Sequence, residues 1–211
     1  AEDSDKWDSL DVSKYIGIDG LVTEPSTMLD AQSRTDWPRW DEAIKNEKKH
    51  ITVDYPVIGP PEPDQWFEDH GIVNKPTPIG IIFKVKYLRG KIDKYKVRMV
   101  LRGTKHFMRP DIDFEDSFSA SPSMVTVRLI LALVVLYDLS VRNWDVIAAY
   151  LNAVLPKKER LPVILPKGLQ DICKDTGRVL MCPLDRALYG HPMSDKAWNE
   201  TCKKWGMEFF N

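Results

Sequence analysis

The sequence predicts an α+β fold, and two patterns of apolar residues support this prediction. Apolar and basic side chains alternate with a period of two over residues 81–101, as in a half-buried β-hairpin. Apolar residues recur at helical spacing over residues 124–137, which indicates a helix after the hairpin. The 211 residues, 43% of them hydrophobic and 29% charged, are enough for one large domain or two small ones with a buried core.

Charge is unevenly distributed along a chain whose formal net charge is only −1. Residues 1–30 contain eight Asp or Glu against two Lys, whereas residues 84–109 contain ten Lys or Arg against one Asp. Because the acidic segment lacks clear periodicity, we predict a weakly ordered lead-in over residues 1–35 and the main domain over residues 36–211.

Cysteine spacing and hydropathy limit the classes of protein to which this chain can belong. The three cysteines form no C-x-x-C pair, which favours reduced thiols in an intracellular protein over a disulfide framework or a zinc site. The longest apolar run, residues 129–137, is far shorter than the roughly 20 residues that a membrane-spanning helix needs.

The elements follow in order from local signals. Residues 35–50 are predicted to form a short helix with Asp36 as N-cap, and the proline-rich residues 55–66 a loop or an edge segment. The hairpin spans 79–102 with its turn near Arg89 and Gly90, so that one face is apolar and the other basic. The helix that begins after Ser121, its predicted N-cap, is expected to be buried. Short strands are predicted at Leu139–Asp145, within 161–169 and at Val179–Cys182, the first and the last each followed by a helix.

The stretch RNWDVIAAYLNAVLP, residues 142–156, contains a single acidic side chain, Asp145. A carboxylate in such apolar surroundings needs a partner, and its hard oxygens suit magnesium. The alternative is a helix N-cap, which the local pattern favours because Asp145 precedes VIAAYLNA.

The basic face of the hairpin also has two interpretations. Cations on the solvent side of a two-stranded ribbon increase solubility and discourage edge pairing, but this cluster exceeds that need and suits phosphate groups. By default Tyr150 is a core aromatic, His191 a surface residue and the helix of residues 126–137 part of the core.

Six blocks in order carry a resemblance to a known family: DWPRWDEAIKNE, IGIIFKVKYLRGKIDKYKVRMVLRG, DFEDSFSASPSMVTVRLILALV, WDVIAAYLNAVLP, LPVILPKGL and CPLDRALYGHPMSDKAWNE. Over about residues 36–205 the chain resembles the reverse transcriptase of copia-type retrotransposon polyproteins. The resemblance implies a right-hand polymerase fold, of which this chain supplies the fingers and the first part of the palm. It also implies a template–primer of RNA and DNA, and another protein chain that covers the missing palm and thumb surface.

The resemblance assigns roles to particular residues, and it reverses the preference for Asp145 in favour of a metal ligand. Asp145 matches the first catalytic aspartate, which ligates magnesium, and Val146 matches a backbone carbonyl ligand. Ala149 and Tyr150 match positions beneath the sugar of the incoming nucleotide, where a bulky aromatic excludes a ribose 2′-hydroxyl. The resemblance also implies that Lys96 or Arg98 holds the triphosphate, with Lys86 as a further candidate. The basic face of the hairpin predicts Lys84 and Arg102 as nucleic-acid ligands.

Two departures from the family pattern affect activity. No Asp-Asp pair occurs in the sequence, although the polymerase needs a second acidic motif, and LYGHPMSDKAW stands where the family usually shows LYGLKQAPRAW. Two hypotheses follow: a piece of an RNA-directed DNA polymerase that is inactive alone, or a domesticated or decayed retrotransposon-derived protein that serves as a structural or binding subunit.

Overall fold

The computed structural model describes residues 11–72, 74–104, 108–109, 122–142, 145–157 and 160–210, and it has an α+β architecture. The helices are α1 (Met28–Ser33), α2 (Trp37–Lys49), α3 (Asp64–Asp69), α4 (Met124–Leu136) and α5 (Ser194–Phe210). The strands are β1 (Thr77–Leu88), β2 (Lys91–Leu101), β3 (Pro162–Ile164) and β4 (Cys182–Pro183). Within the described residues, the strands form one sheet in the order β2-β1-β3-β4.

The hairpin prediction is confirmed, including its turn. β1 and β2 pair antiparallel, with Phe83 opposite Val97 and Lys84 opposite Lys96. Arg89 and Gly90 connect them with φ angles of 51° and 78°. Two consecutive positive φ values are typical of the type I′ turn, whose twist matches that of the flanking strands.

Helix α2 covers the apolar face of the hairpin. The fully buried indole ring of Trp40 makes edge-to-face contacts with Phe83 and Tyr95, at centroid distances of 5.2 and 4.5 Å. At the outer edge of β2, the Glu47 carboxylate accepts a hydrogen bond from the Met99 amide at 3.1 Å. The helix therefore both packs against the sheet and satisfies part of its free edge.

Residues 11–35 are described in contact with the hairpin. The Val22 amide donates to the Tyr87 hydroxyl at 2.7 Å, and the Arg34 guanidinium lies over the Tyr15 ring at 3.9 Å. Asp36 does occupy the N-cap position of α2, but its carboxylate makes no capping hydrogen bond. It forms a buried ion pair with Arg34 at 3.0 Å, which uses the oxygen atoms that a cap would need.

The prediction of a buried helix after the hairpin is correct for the helix and wrong for its burial. No residue of α4 is buried, and Leu129 and Leu136 are 59% and 71% exposed. Ser123 caps α4 by accepting a hydrogen bond from the Thr126 amide; the predicted cap, Ser121, lies outside the described residues. Helical periodicity predicts the local conformation, whereas burial depends on a facing surface that the described residues do not provide.

The second half of the chain contains less regular structure than predicted. The strand within 161–169 is confirmed as β3, which pairs parallel with the start of β1 through Thr77 and Val163. The strand at Val179–Cys182 is confirmed only at its end, because Val179 forms an isolated bridge with Ile172. The strand at Leu139–Asp145 is wrong over residues 139–142 and 145, which are exposed and irregular; residues 143–144 lie outside the described part of the chain.

Candidate nucleotide-binding site

Six cations lie on the face of the hairpin opposite Trp40, and we call this set the basic face: Lys84, Lys86, Lys94, Lys96, Arg98 and Arg102. The strand register sets Lys84 directly opposite Lys96, and Lys86 opposite Lys94. Like charges in directly opposed positions destabilise a sheet unless an anion offsets them.

The protein offsets only part of this repulsion. Glu24 accepts a hydrogen bond from the Lys84 ammonium at 2.5 Å and one from the Val85 amide at 3.2 Å. Lys86 has no ion-pair partner among the described residues. Partial burial, followed by the neighbouring charges of Arg98 and Lys94, lowers the pKa of Lys96. An added anion would therefore stabilise the basic face.

Lys96 and Arg98 face different surroundings although they share this face. Lys96 borders an open cleft of about 400 Å³ along the outer edge of β2, which Glu47 and His50 also line. The guanidinium of Arg98 lies 5.1 Å from the centre of the Tyr189 ring. Such a stacked guanidinium keeps its hydrogen-bond donors available for a phosphate.

A row of side chains extends from Arg98 to the predicted sugar-binding position. The Tyr189 ring makes an edge-to-face contact with the Tyr150 ring at a centroid distance of 5.6 Å. The Tyr150 hydroxyl in turn donates a hydrogen bond to Asp195 in the first turn of α5. We call these four residues the aromatic row: Arg98, Tyr189, Tyr150 and Asp195. It joins two residues that sequence reasoning had selected separately.

Two glycines allow Tyr189 to approach the hairpin. The Tyr189 carbonyl accepts a hydrogen bond from the Leu101 amide at 2.7 Å. Gly190 has a φ of 84°, and a Cβ on it would lie 2.2 Å from the Leu101 oxygen; a Cβ on Gly103 would lie 2.1 Å from the Gly190 oxygen. Side chains at Gly103 and Gly190 would push the two backbones apart. The segments 101–103 and 188–190 can therefore approach this closely only if both positions are glycine.

A strained turn orients Tyr150. Ala148 has a left-handed φ of 53° and precedes the single 3₁₀ turn Ala149–Asn152. The side-chain amide nitrogen of Asn152 donates to the carbonyls of Ile147 and Ala148, at 3.2 Å each, and stabilises this turn. The predicted helix here is therefore reduced to one turn, with Ala149 and Tyr150 at its start.

The surroundings of Asp145 in the structure differ from those that the sequence predicts. The N-cap residue of the 3₁₀ turn is Ala148, so the N-cap interpretation of Asp145 is wrong. Its side chain is exposed rather than held in apolar surroundings, and it has no hydrogen bond or ion pair among the described residues. Solvation replaces the partner that a buried carboxylate would need.

The described residues contain no cluster of acidic side chains around the predicted magnesium ligands, Asp145 and Val146. The Asp145 carboxylate and the Val146 carbonyl are suitable hard oxygen ligands, and Val146 is 40% exposed. Across the described ranges, no group of three or more His, Cys, Asp or Glu side chains is arranged to hold a metal ion. Within the described residues, Asp145 and Val146 therefore offer suitable oxygen atoms but do not form a metal site by themselves.

His191 contradicts its prediction as a surface residue. Its side chain is buried at 4% exposure in the turn between Tyr189 and α5. Its Nδ1 accepts a hydrogen bond from the Met193 amide at 3.1 Å, and burial lowers its pKa to about 4. Sequence reasoning missed this burial because the apolar surroundings come from distant segments.

Sequence reasoning also missed three members of the site. Lys94 belongs to the basic face, and the hairpin register could have revealed it because it lies opposite Lys86. Tyr189 and Asp195 belong to the aromatic row, and no local signal marks them. Their only indication is that Asp195 lies in the segment HPMSDK, where the chain departs from the resembled block.

The fold is α+β, with a basic face on the hairpin and the adjoining aromatic row, and comparison with known proteins identifies the family. The model of the family described as reverse transcriptase (RNA-dependent DNA polymerase) matches residues 69–210. This match covers more than half of the chain, so the chain belongs to the reverse transcriptase family. The resemblance drawn from the six blocks is thereby confirmed.

The chain is similar to three curated polyproteins of plant transposons. It is 32% identical over 108 residues to the retrovirus-related Pol polyprotein from transposon TNT 1-94 of Nicotiana tabacum, covering 51% of the chain and 8% of that relative. It is 31% identical over 118 residues to the corresponding polyprotein from transposon RE1 of Arabidopsis thaliana, covering 56% and 8%. For RE2 of Arabidopsis thaliana the identity is 26% over 181 residues, covering 83% and 11%.

The matched region thus spans about a tenth of the length of the curated relatives. No solved structure matches the chain. In the part of the chain that the structure describes, no helix has the length and apolar character that crossing a membrane requires.

Proposed function

We propose that the chain forms the fingers and the first part of the palm of an RNA-directed DNA polymerase, and that it binds the incoming nucleotide and the template–primer. The observation that carries this proposal is the aromatic row, which connects Arg98 on the basic face with Tyr150. A nucleotide has a polyanionic end and a sugar, and this row offers a cation and an aromatic ring in that order.

Each predicted residue has a role in this proposal. Arg98 binds the part of the triphosphate that lies nearest the sugar. Its contact with Tyr189 favours Arg98 over Lys96 for this role. Lys96 and Lys86 contribute further positive charge to the triphosphate. Lys84, which lies opposite Lys96, and Arg102, at the end of the face farthest from Lys86 and Lys94, contact the nucleic-acid backbone. Phosphoryl transfer depends chiefly on positioning and on neutralised charge, which this set of cations supplies.

Ala149 and Tyr150 form the floor beneath the sugar, and Asp145 with Val146 supplies two ligands to magnesium. When bound, magnesium polarises the phosphate oxygens and orients the attacking group. A two-metal site needs more carboxylate oxygens than Asp145 provides, so the remaining ligands come from a second acidic motif. The division into a lead-in over 1–35 and a polymerase region over 36–211 is part of the same proposal.

We further propose that another protein surface covers α4. Its exposed apolar side chains form a patch of the kind that marks an interaction site in a folded protein. No observation on the described residues favours the alternative of a domesticated binding subunit that copies nothing.

Binding to nucleic acid tests the role of the basic face. Titrate a labelled RNA–DNA duplex at about 50 mM and about 200 mM salt; because bound phosphates release counterions, we expect affinity to fall about tenfold or more. The variant Lys96→Glu/Arg98→Glu should bind much more weakly. The matched control Lys203→Glu/Lys204→Glu changes the same net charge on the exposed part of α5 and should bind like the parent. Equal binding by all three proteins would refute the proposal.

Primer extension tests the metal ligands. The 211-residue polypeptide should not extend a primer in the presence of magnesium and all four nucleotides, because its sequence contains Asp145 but no second acidic motif. The Asp145→Asn variant provides the background. Extension by the parent that disappears in Asp145→Asn would contradict this expectation and would show that another acidic ligand exists within these residues.

A further inference from the structure

Asp195 and Tyr150 lie 45 residues apart in sequence and meet through a hydrogen bond from the phenol to the carboxylate. Asp195 lies in the first turn of α5, where the helix dipole favours a negative charge. Tyr150 lies in the 3₁₀ turn that follows Asp145 and Val146. The contact therefore links α5 to the proposed floor of the nucleotide site.

We propose that Asp195 is a positioning residue that fixes the ring of Tyr150 and thereby sharpens the discrimination between deoxyribonucleotides and ribonucleotides. This inference rests on the proposed function of Tyr150 as the floor beneath the sugar. Asp195 acts through Tyr150 and is not itself a ligand of the nucleotide.

The ring of Tyr150 is held at two points. Its edge-to-face contact with Tyr189 restrains the plane of the ring, and the bond to Asp195 restrains the hydroxyl. Tyr150 is only half-buried, so packing alone leaves it room to rotate. A tyrosine with a fixed hydroxyl has few accessible rotamers, whereas a released one can move aside.

The charge state of the pair is consistent with this role. The hydrogen bond to Asp195, followed by burial, raises the pKa of Tyr150 to about 12. The phenol therefore stays neutral and remains a hydrogen-bond donor near neutral pH. A neutral ring does not repel a nucleotide triphosphate, and its donated proton partly satisfies the Asp195 carboxylate.

Steric exclusion depends on rigidity. A ribose 2′-hydroxyl adds one oxygen atom to the sugar, and a ring that can shift slightly accommodates that atom at small cost. A fixed ring cannot shift, so the ribonucleotide loses affinity while the deoxyribonucleotide does not. The expected contribution of Asp195 to the ratio of the two affinities is about fivefold, the factor typical of immobilising one side chain.

The first measurement is the affinity of the 211-residue chain for the magnesium salts of dATP and ATP. We expect Asp195→Ala to reduce the preference for dATP about fivefold, through tighter binding of ATP. Asp195→Asn keeps an oxygen acceptor and should retain most of the preference. Tyr150→Phe keeps the ring but loses the hydrogen bond to Asp195, so its preference for dATP should fall as in Asp195→Ala. The double variant should lose no more of this preference than either single variant.

The second measurement follows ionisation of the Tyr150 phenol by NMR of protein labelled at the tyrosine Cζ. In the parent the phenol should stay protonated through about pH 11, whereas in Asp195→Ala it should titrate near the ordinary value of about 10. A merely structural role of Asp195 at the start of α5 would not change the nucleotide preference.

The two measurements separate failure of this inference from failure of the proposed function. A parent that prefers dATP, with the same preference in Asp195→Ala, would overturn the inference and leave the proposed function standing. A parent that binds neither nucleotide would overturn the proposed function and with it the discrimination by Asp195. Identical phenol titration in the parent and in Asp195→Ala would refute the anchor itself.

Discussion

The hairpin of β1 and β2 and the segment from α4 to Val146 have equally clear sequence patterns but very different burial. In the hairpin, Phe83, Val97 and Met99 are buried beneath α2. In the second segment no residue of α4 is buried, and Asp145 is exposed. The patterns therefore correctly predict the conformation of the hairpin and of α4, although not the strand at Leu139–Asp145, and they correctly predict burial only in the hairpin.

The difference teaches where burial comes from. The partner of β1 is the next strand in sequence, joined by a two-residue turn, so the hairpin itself brings its apolar side chains together. A helix that is apolar on all sides has no partner in its own sequence and must obtain one from a distant surface. Local periodicity cannot report whether that surface is present.

The largest expected effect contrasts a buried side chain of the first region with an exposed one of the second. Trp40→Ala removes the ring that packs on Phe83 and Tyr95, and we expect it to lower the free energy of unfolding by about 4 kcal/mol. The matched substitution Leu129→Ala in α4 should lower it by less than about 0.5 kcal/mol. Urea unfolding of both variants measures the contrast. Similar losses would mean that α4 is packed in solution, and the comparison between the two regions would fail.

A smaller effect tests how the Tyr189 turn docks on the hairpin. Gly190→Ala adds a Cβ that clashes with the Leu101 oxygen and also strains a backbone φ of 84°. We therefore expect it to lower the free energy of unfolding by about 3 kcal/mol. Gly71→Ala serves as the control because Gly71 has a φ of 69° but no atom near its Cβ position. It should lose only about 1 kcal/mol, the cost of the backbone strain. Equal losses in urea unfolding would show that the close approach to Leu101 does not restrict the turn.

Much of the fold was predictable from sequence, and the exceptions share a physical cause. The hairpin, its turn and α2 were predicted because their determinants lie within one or two elements. The burial of His191 and the burial of the ion pair between Arg34 and Asp36 depend on which segments converge around them. The strand predicted up to Asp145 has no pairing strand in the described residues, and a strand without a partner leaves its backbone groups to solvent.

The candidate site was predictable to a similar extent. Alternation placed Lys84, Lys86 and Lys96 on one face, and the register confirms that face. The aromatic row could not be foreseen, because Tyr189 and Asp195 reach Arg98 and Tyr150 only through the docked turn. Sequence patterns therefore identified the charges that face solvent but not the contacts that connect separate segments.

His191 provides the smallest expected effect and the most specific test of that docked turn. Burial lowers the pKa of its imidazole to about 4, whereas the unfolded chain has an ordinary value near 6.5. Below pH 6.5 the unfolded state therefore binds more protons than the folded state, so acidification destabilises the fold. The contribution is fully present above pH 6.5 and is progressively lost as the pH falls toward 4.

Urea unfolding of the parent at pH 7.5 and at pH 5 should therefore differ by about 2 kcal/mol through His191, with the lower stability at pH 5. Replacing His191 with Gln keeps a side-chain oxygen that can accept the Met193 amide proton but removes the titration, so the variant should lose about that much of the pH dependence. The control His70→Gln changes an exposed imidazole that stacks on Trp66, and it should retain the pH dependence of the parent. A His191→Gln variant with the same pH dependence as the parent would mean that His191 is solvated in solution. The turn that carries Tyr189 would then be open rather than docked on the hairpin.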